Sequence, residues 1–256
     1  MNDDAQEDLA FGLHAVEAVL EAQPERIQTL WCQKGVRNRR LEALVERARA
    51  AGIRVLFESA DSLNRRAGGV HQRVVAQVQA APVYRESDLP GLLDKMTEPP
   101  LLLVLDGVTD PHNLGACLRS ADAAGVHAVI VPRARSAPLN ATARKVACGA
   151  ADRVPLVTVA NLARCLRFLN QQGIAITGAA GEAGHRLYDA DLRGAQALVM
   201  GAEQAGLRRL TREHCDQLVC IPMAGTVSSL NVSVATGVCL FEARRQREQI
   251  APQEPG

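Results

Sequence analysis

Along the first eighty residues the apolar positions switch between two periods. HAVEAVLEA (14–22) and RRLEALVERARAA (39–51) repeat every three to four residues and predict amphipathic helices. RIQTLWC, IRVLF and VVAQVQ are short runs rich in β-branched residues and predict strands. With a short helix before the last strand, these elements make a small α/β unit spanning residues 1–80. Residues 81–100 mix LPGLLDKM with Pro82, Pro90 and the Pro99-Pro100 pair, and read as a linker. From Leu101 the pattern changes again, to six apolar runs (LLLVLD, HAVIVP, RVPLVTV, GIAITGAA, QALVMG, QLVCIP) separated by segments of helical length. Runs apolar throughout suit strands covered on both faces, so a parallel α/β sheet is predicted over 101–248. The closing stretch, SSLNVSVATGVCLFEARRQREQ, reads as a helix whose small residues Ser229, Ser233 and Gly237 recur every four positions and admit close approach. Residues 249–256 read as a flexible tail.

Charge adds little globally and more locally. The formal net charge is +1, so no overall field draws in a polyanion. Yet nearly all cations are arginines, good bidentate phosphate ligands, and they cluster in KGVRNRR (Lys34, Arg37, Arg39, Arg40) and NRRAGGVHQR (Arg65, Arg66, Arg73). These clusters read either as contacts to the phosphates of a polyanion or as a solvated basic helix face. His71, on a Gly-Gly loop, reads as incidental. Aromatic residues make up only 3%, which disfavours base-stacking platforms. Seven cysteines without a CxxC pair suggest reduced thiols in the cytosol, with neither a disulfide framework nor a zinc site. The acidic start is unlike a secretory leader, and no apolar run approaches the roughly 20 residues that span a bilayer.

Three segments carry candidate chemistry. VLDGVTDPHNLGACLRSADAAG is a strand ending in a turn and entering a helix near Asn113, the kind of carboxyl end where open parallel sheets place ligands. Its bland reading makes Asp110 a helix cap, Pro111 a first-turn proline and Arg119 a solvated helix residue. LVMGAEQAGLRRL ends a strand in Gly201 and Glu203, with Gly206 at the next turn. Such glycines permit positive φ or let a ligand lie against backbone amides, or they are plain turn glycines beside a surface acid. CIPMAGTVSSLNVSVATG places Ser228, Ser229, Asn231 and Ser233 in an otherwise apolar helix, against their propensity. A cap at Ser228 or Ser229 explains one of the four.

In this order and spacing, the three segments resemble the signature motifs of the SpoU-class RNA 2′-O-ribose methyltransferases of the SPOUT superfamily. FGLHAVEAVL and AGTVSSLNVSVATGVCLFEARRQR extend the likeness over almost the whole chain, toward the branch that methylates a guanosine in the peptidyl-transferase region of 23S ribosomal RNA. The resemblance implies S-adenosylmethionine as cofactor and a parallel sheet closed by a C-terminal trefoil knot. It further implies a homodimer packed through the knotted domains and an N-terminal L30e-like domain that binds RNA, with Lys34, Arg37, Arg39, Arg40, Arg65 and Arg66 as its phosphate contacts. It assigns catalytic roles to Asn113, Arg119, Glu203, Ser229 and Asn231, with Ser233 matching a further family serine. It assigns cofactor contacts, largely through backbone, to Gly201, Ile221 and Leu230.

The resemblance leaves two mechanisms open. In one, RNA phosphate and Ser229 tune Arg119 to take the 2′-hydroxyl proton, although a guanidinium stays protonated in nearly all settings. In the other, Arg119 anchors phosphate and stabilises developing alkoxide charge while Asn113, Ser229 and Asn231 orient the ribose. A transfer-RNA methyltransferase would share the motifs, and a non-catalytic assembly factor would keep the RNA contacts alone. GAAGEAG lacks the GxGxxG spacing of a dinucleotide site, and no GxSxG elbow marks a hydrolase.

Overall fold

The computed structural model describes residues 8–36, 38–67, 71–79, 83–202 and 205–249. The chain forms two compact units that divide between Pro82 and Val83. The first contains β1 (Asp8–Phe11), α1 (Leu13–Ala22), β2 (Ile27–Gln33), α2 (Arg39–Ala50), β3 (Arg54–Glu58), α3 (Ala60–Ala67) and β4 (Val74–Val78). Its sheet order is β1-β4-β2-β3, with β2 and β3 parallel and β4 antiparallel to both β1 and β2. The apolar stripe of α1 buries Val16, Val19 and Leu20 against Leu41, Leu44 and Val45 of α2 and the inner face of β2 and β4. The Asn38 side chain caps α2, accepting from the amides of Arg40 and Leu41. Strand β1 is too short for its alternation to stand out in the sequence.

The second unit contains β5 (Tyr84–Arg85), α4 (Leu89–Leu93), β6 (Leu101–Asp106), α5 (Pro111–Ala123), β7 (Ala128–Pro132), α6 (Ala141–Ala147), α7 (Ala150–Arg153), β8 (Leu156–Val159), α8 (Leu162–Gln171), β9 (Ala175–Ala179), β10 (His185–Arg186), β11 (Gln196–Gly201), α9 (Arg209–Glu213), β12 (Gln217–Cys220) and α10 (Val232–Glu248). Its eight strands run in the order β10-β12-β9-β11-β6-β7-β8-β5 with every pairing parallel. The continuous apolar runs feed two cores. Leu101, Leu103 and Leu105 of β6 pack with α5 and α10 on one face. Leu102 and Val104 pack with Leu162, Cys165, Leu166 and Leu169 of α8 on the other.

Two expectations change here. The segment read as a linker, 81–100, belongs from Val83 onward to the second unit: Tyr84 and Arg85 pair with Val157 and Thr158, and Leu89 is buried. Glu86 holds the segment in place, accepting from the Arg164 guanidinium and from the Ala160 amide. The prolines only looked like a hinge, because a two-residue edge strand carries no periodicity to oppose them. Second, α10 begins at Val232, so Ser228, Ser229 and Asn231 precede it. Asn231, not either serine, is the cap, its side-chain oxygen accepting from the Ser233 amide at 2.9 Å. The expected tail lies almost wholly outside the described residues, which end at Gln249.

Candidate active site

The three motif segments meet at the carboxyl ends of β6, β11 and β12. Beyond β6, the Asp110 side chain accepts from the His112 amide and Pro111 occupies the first position of α5, so the chain turns into a helix here. That sets Asn113 on the first turn and Arg119 further along, its side chain exposed, with Nη1 donating to the Cys148 Sγ at 3.6 Å. Helix α6 lies close against α5 because Gly115 has no side chain: a Cβ there would come within 2.5 Å of the Ala143 carbonyl oxygen.

The loop after β11 is stitched to the sheet. Gly201 pairs in register with Asp106, and a Cβ on Gly201 would stand 2.2 Å from the Gly206 carbonyl carbon. The missing side chain therefore makes room for the loop's own return, closed by reciprocal backbone hydrogen bonds between Ala202 and Gly206. Arg208 completes the closure. Its amide donates to Asp106 Oδ2 at 3.0 Å, and its guanidinium pairs with Oδ1 of that fully buried carboxylate. Neither Asp106 nor Arg208 stands out in the sequence, although an acid ending the all-apolar strand LLLVLD was a usable signal.

After β12 the extended segment 221–230 runs past this loop. Together they line a cleft of about 820 Å³ that contains Gly201, Ile221, Ser229 and Leu230, with Ala179–Glu182 of the β9 end opposite. A pocket of this size suits a small-molecule cofactor, and its walls offer mainly backbone groups and small side chains. Asn231 Nδ2 donates to Asn113 Oδ1 at 3.1 Å, joining the first motif to the third. Ser233 Oγ also donates to Asn231 Oδ1. Arg119 does not line the cleft, and no hydrogen bond links it to Ser229 among the described residues. Glu203 lies outside the described residues.

Gly237, read as part of a small-residue stripe, faces Ser120 of α5: a Cβ there would sit 3.8 Å from the serine oxygen. A methyl group would fit there at ordinary contact distance, so the packing of α10 on α5 does not demand glycine. Burial raises the thiols of Cys165, Cys215 and Cys239 to about 12, so none of them is a ready nucleophile. No group of His, Cys, Asp or Glu side chains suited to a metal ion occurs among the described residues, nor does a helix long and apolar enough to cross a membrane.

In the first unit, the predicted RNA-contacting cations divide. Arg40 is engaged by both carboxylate oxygens of Glu17, and Arg66 pairs with Glu58 while its guanidinium lies 4.2 Å from the Trp31 ring centre. These two serve the unit's own structure. Lys34, Arg39, Arg65 and Arg73 are exposed, and Arg37 lies outside the described residues.

Residues 100–241 match the SpoU rRNA Methylase family, and residues 9–84 match a domain described as RNA 2′-O ribose methyltransferase substrate binding. The chain belongs to the SpoU methylase family. This SpoU methylase is 60% identical over 241 residues to the 23S rRNA (guanosine-2′-O-)-methyltransferase RlmB of Yersinia pestis, covering 94% of this chain and 98% of that one. It is 58% identical to RlmB of Escherichia coli K12, at 94% and 99% coverage. Among solved structures it resembles the SpoU methyltransferase AviRb from Streptomyces viridochromogenes in complex with AdoMet, with a TM-score of 0.76 and 27% identity over 97% of this chain and 95% of that one. An AdoMet-bound rRNA methyltransferase from Sinorhizobium meliloti gives a TM-score of 0.73 at 27% identity, covering 95% and 88%.

Proposed function

We propose that this chain transfers the methyl group of S-adenosylmethionine to the ribose 2′-hydroxyl of a guanosine in the peptidyl-transferase region of 23S ribosomal RNA. The observation that carries this reading is a cleft shared by the second and third segments, lined by Gly201, Ile221, Ser229 and Leu230, with the first segment tied to the third by the Asn231–Asn113 hydrogen bond. Identity of 58–60% to RlmB enzymes over nearly the whole chain supports the ribosomal substrate.

The cofactor supplies an electrophilic methyl on a sulfonium. Gly201, Ile221 and Leu230 would hold it through backbone groups along the cleft wall. The chain's remaining task is to place the 2′-oxygen in line behind that methyl and to steady the negative charge that grows on it, positioning being a large share of such a rate. Asn113, Asn231 and Ser229 orient the ribose. Arg119, exposed and joined among the described residues to the Cys148 thiol, anchors phosphate and stabilises the developing alkoxide.

Two further parts of the reading rest on the second unit. A homodimer through the knotted domains is supported by α10, which leaves Val234 and Phe241, two turns apart on one face, about half exposed. The trefoil knot is supported by the strand order, in which β12 is separated from β11 by β9 rather than added at an edge. The enzyme would act in the cytosol, where its RNA is made.

The deciding experiment incubates the chain with labelled S-adenosylmethionine and large-subunit RNA from a strain lacking the gene, then maps ribose methylation. One new 2′-O-methylguanosine in the peptidyl-transferase region, absent with Arg119→Ala, is the expected result. Labelling of transfer RNA alone would overturn the substrate.

A further inference from the structure

Between Ala123 and Ala151 the sequence contains no aspartate or glutamate, yet it carries Arg133, Arg135, Arg144 and Lys145. Arg144 is paired with Asp152. Arg133, Arg135 and Lys145 are exposed and have no carboxylate partner among the described residues. Elsewhere in the unit most arginines are neutralised locally, as in the pairs Arg164–Glu86, Arg193–Asp191 and Arg245–Glu242. In a chain of nearly zero net charge, such an uncompensated stretch is where a polyanion finds a local field.

The stretch is also fastened beside the candidate catalytic helix. Strand β7 ends at Pro132, two residues beyond the Ile130–Val104 pair and so level with Asp106, which places Arg133 at the ligand-bearing edge of the sheet. The Ala137 amide donates to the Val108 carbonyl at 2.8 Å, on the loop that leads into α5. Further on, the Ala143 carbonyl fills the space left by Gly115, and Cys148 meets Arg119. The strap thus follows α5 from its entry loop to Arg119. Arg135 adopts φ of 60°, a left-handed conformation that a bulky residue takes up only at a cost.

We infer that this acid-free strap, which carries Arg133, Arg135 and Lys145 along the flank of α5, is a phosphate-binding surface for the RNA backbone flanking the target ribose. It adds a contact surface on the catalytic unit itself, apart from the cations of the N-terminal unit. Naming the polyanion as RNA rests on the proposed function.

The test uses the full chain carrying Arg133→Ala, Arg135→Gly and Lys145→Ala, glycine being chosen to suit the positive φ. Filter retention of a 23S RNA fragment is measured across a salt series. Expected are a Kd raised about tenfold or more near physiological salt and a log–log salt slope shallower by about 2, with KM for S-adenosylmethionine and Tm unchanged. Arg133→Lys with Arg135→Lys should keep most of the affinity, because a point charge suffices for phosphate. Unchanged RNA affinity and salt slope in the triple variant would overturn the surface. If the native chain retained RNA but methylated none, the functional reading would fail, while the comparison of affinities would still decide the surface.

Discussion

At the scale of single residues, Arg119 and Asp106 do opposite kinds of work. Arg119 is exposed on α5, and the role proposed for it is to stabilise a developing anion. Arg119→Ala should lower kcat by about 10²–10³-fold, as loss of a preorganised donor does. Arg119→Lys should retain substantial activity if the role is electrostatic, and almost none if the guanidinium is the base; single-turnover methylation rates decide. Asp106 is buried beneath the loop that lines the cleft. Asp106→Asn keeps an acceptor for the Arg208 amide but removes the charge, at about 2 kcal/mol, less than for a fully buried pair because Arg208 keeps water on its outer side. KM for S-adenosylmethionine should rise while KM for RNA moves little. Motif order and spacing singled out Asn113 and Asn231, which the fold joins by a hydrogen bond. The Asp106–Arg208 pair was not legible in the sequence, because its two residues lie 102 positions apart and each looks ordinary in its own segment.

At the scale of elements, the alternation of apolar runs and helical lengths announced the six longer strands of the parallel sheet, since burial on both faces keeps most of their positions apolar. What escaped were pieces held by single contacts. Glu86 is one: the Arg164 guanidinium holds its carboxyl below the usual range, against an opposing effect of burial. A depressed folded-state pKa contributes stability above the unfolded value of about 4.3 and loses it as pH falls through the folded value. Glu86→Gln should therefore lower Tm at pH 7 and converge with the native chain in strong acid; a constant offset across that range would refute the ion pair's role. Gly115 is another, its need set by α6 rather than by α5. Gly115→Ala should cost about 1–3 kcal/mol by forcing the helices apart, visible as a lower denaturation midpoint. The start of α10 was misjudged for a related reason: Asn231 both caps the helix and reaches Asn113, and propensity alone does not say which polar residue of a run is the cap.

At the scale of the molecule, the proposed dimer makes a sharp forecast. Phe241→Glu, placing a charge on the exposed face of α10, should give a monomer in sedimentation while leaving the far-ultraviolet spectrum intact; a persistent dimer would move the interface elsewhere. The ends of the large sheet bear on how the chain must be handled. Both outermost strands, Tyr84–Arg85 and His185–Arg186, are two residues long and each carries an arginine, so neither flank offers a long row of open amides and carbonyls. Beneath Tyr84–Arg85 lies β8, and beyond it β7, buried along its whole length. A truncation starting at residue 100, where the match to the methylase family begins, would uncover β8 and turn a blunted flank into a sticky one, inviting chain-to-chain aggregation that a start at Val83 would avoid.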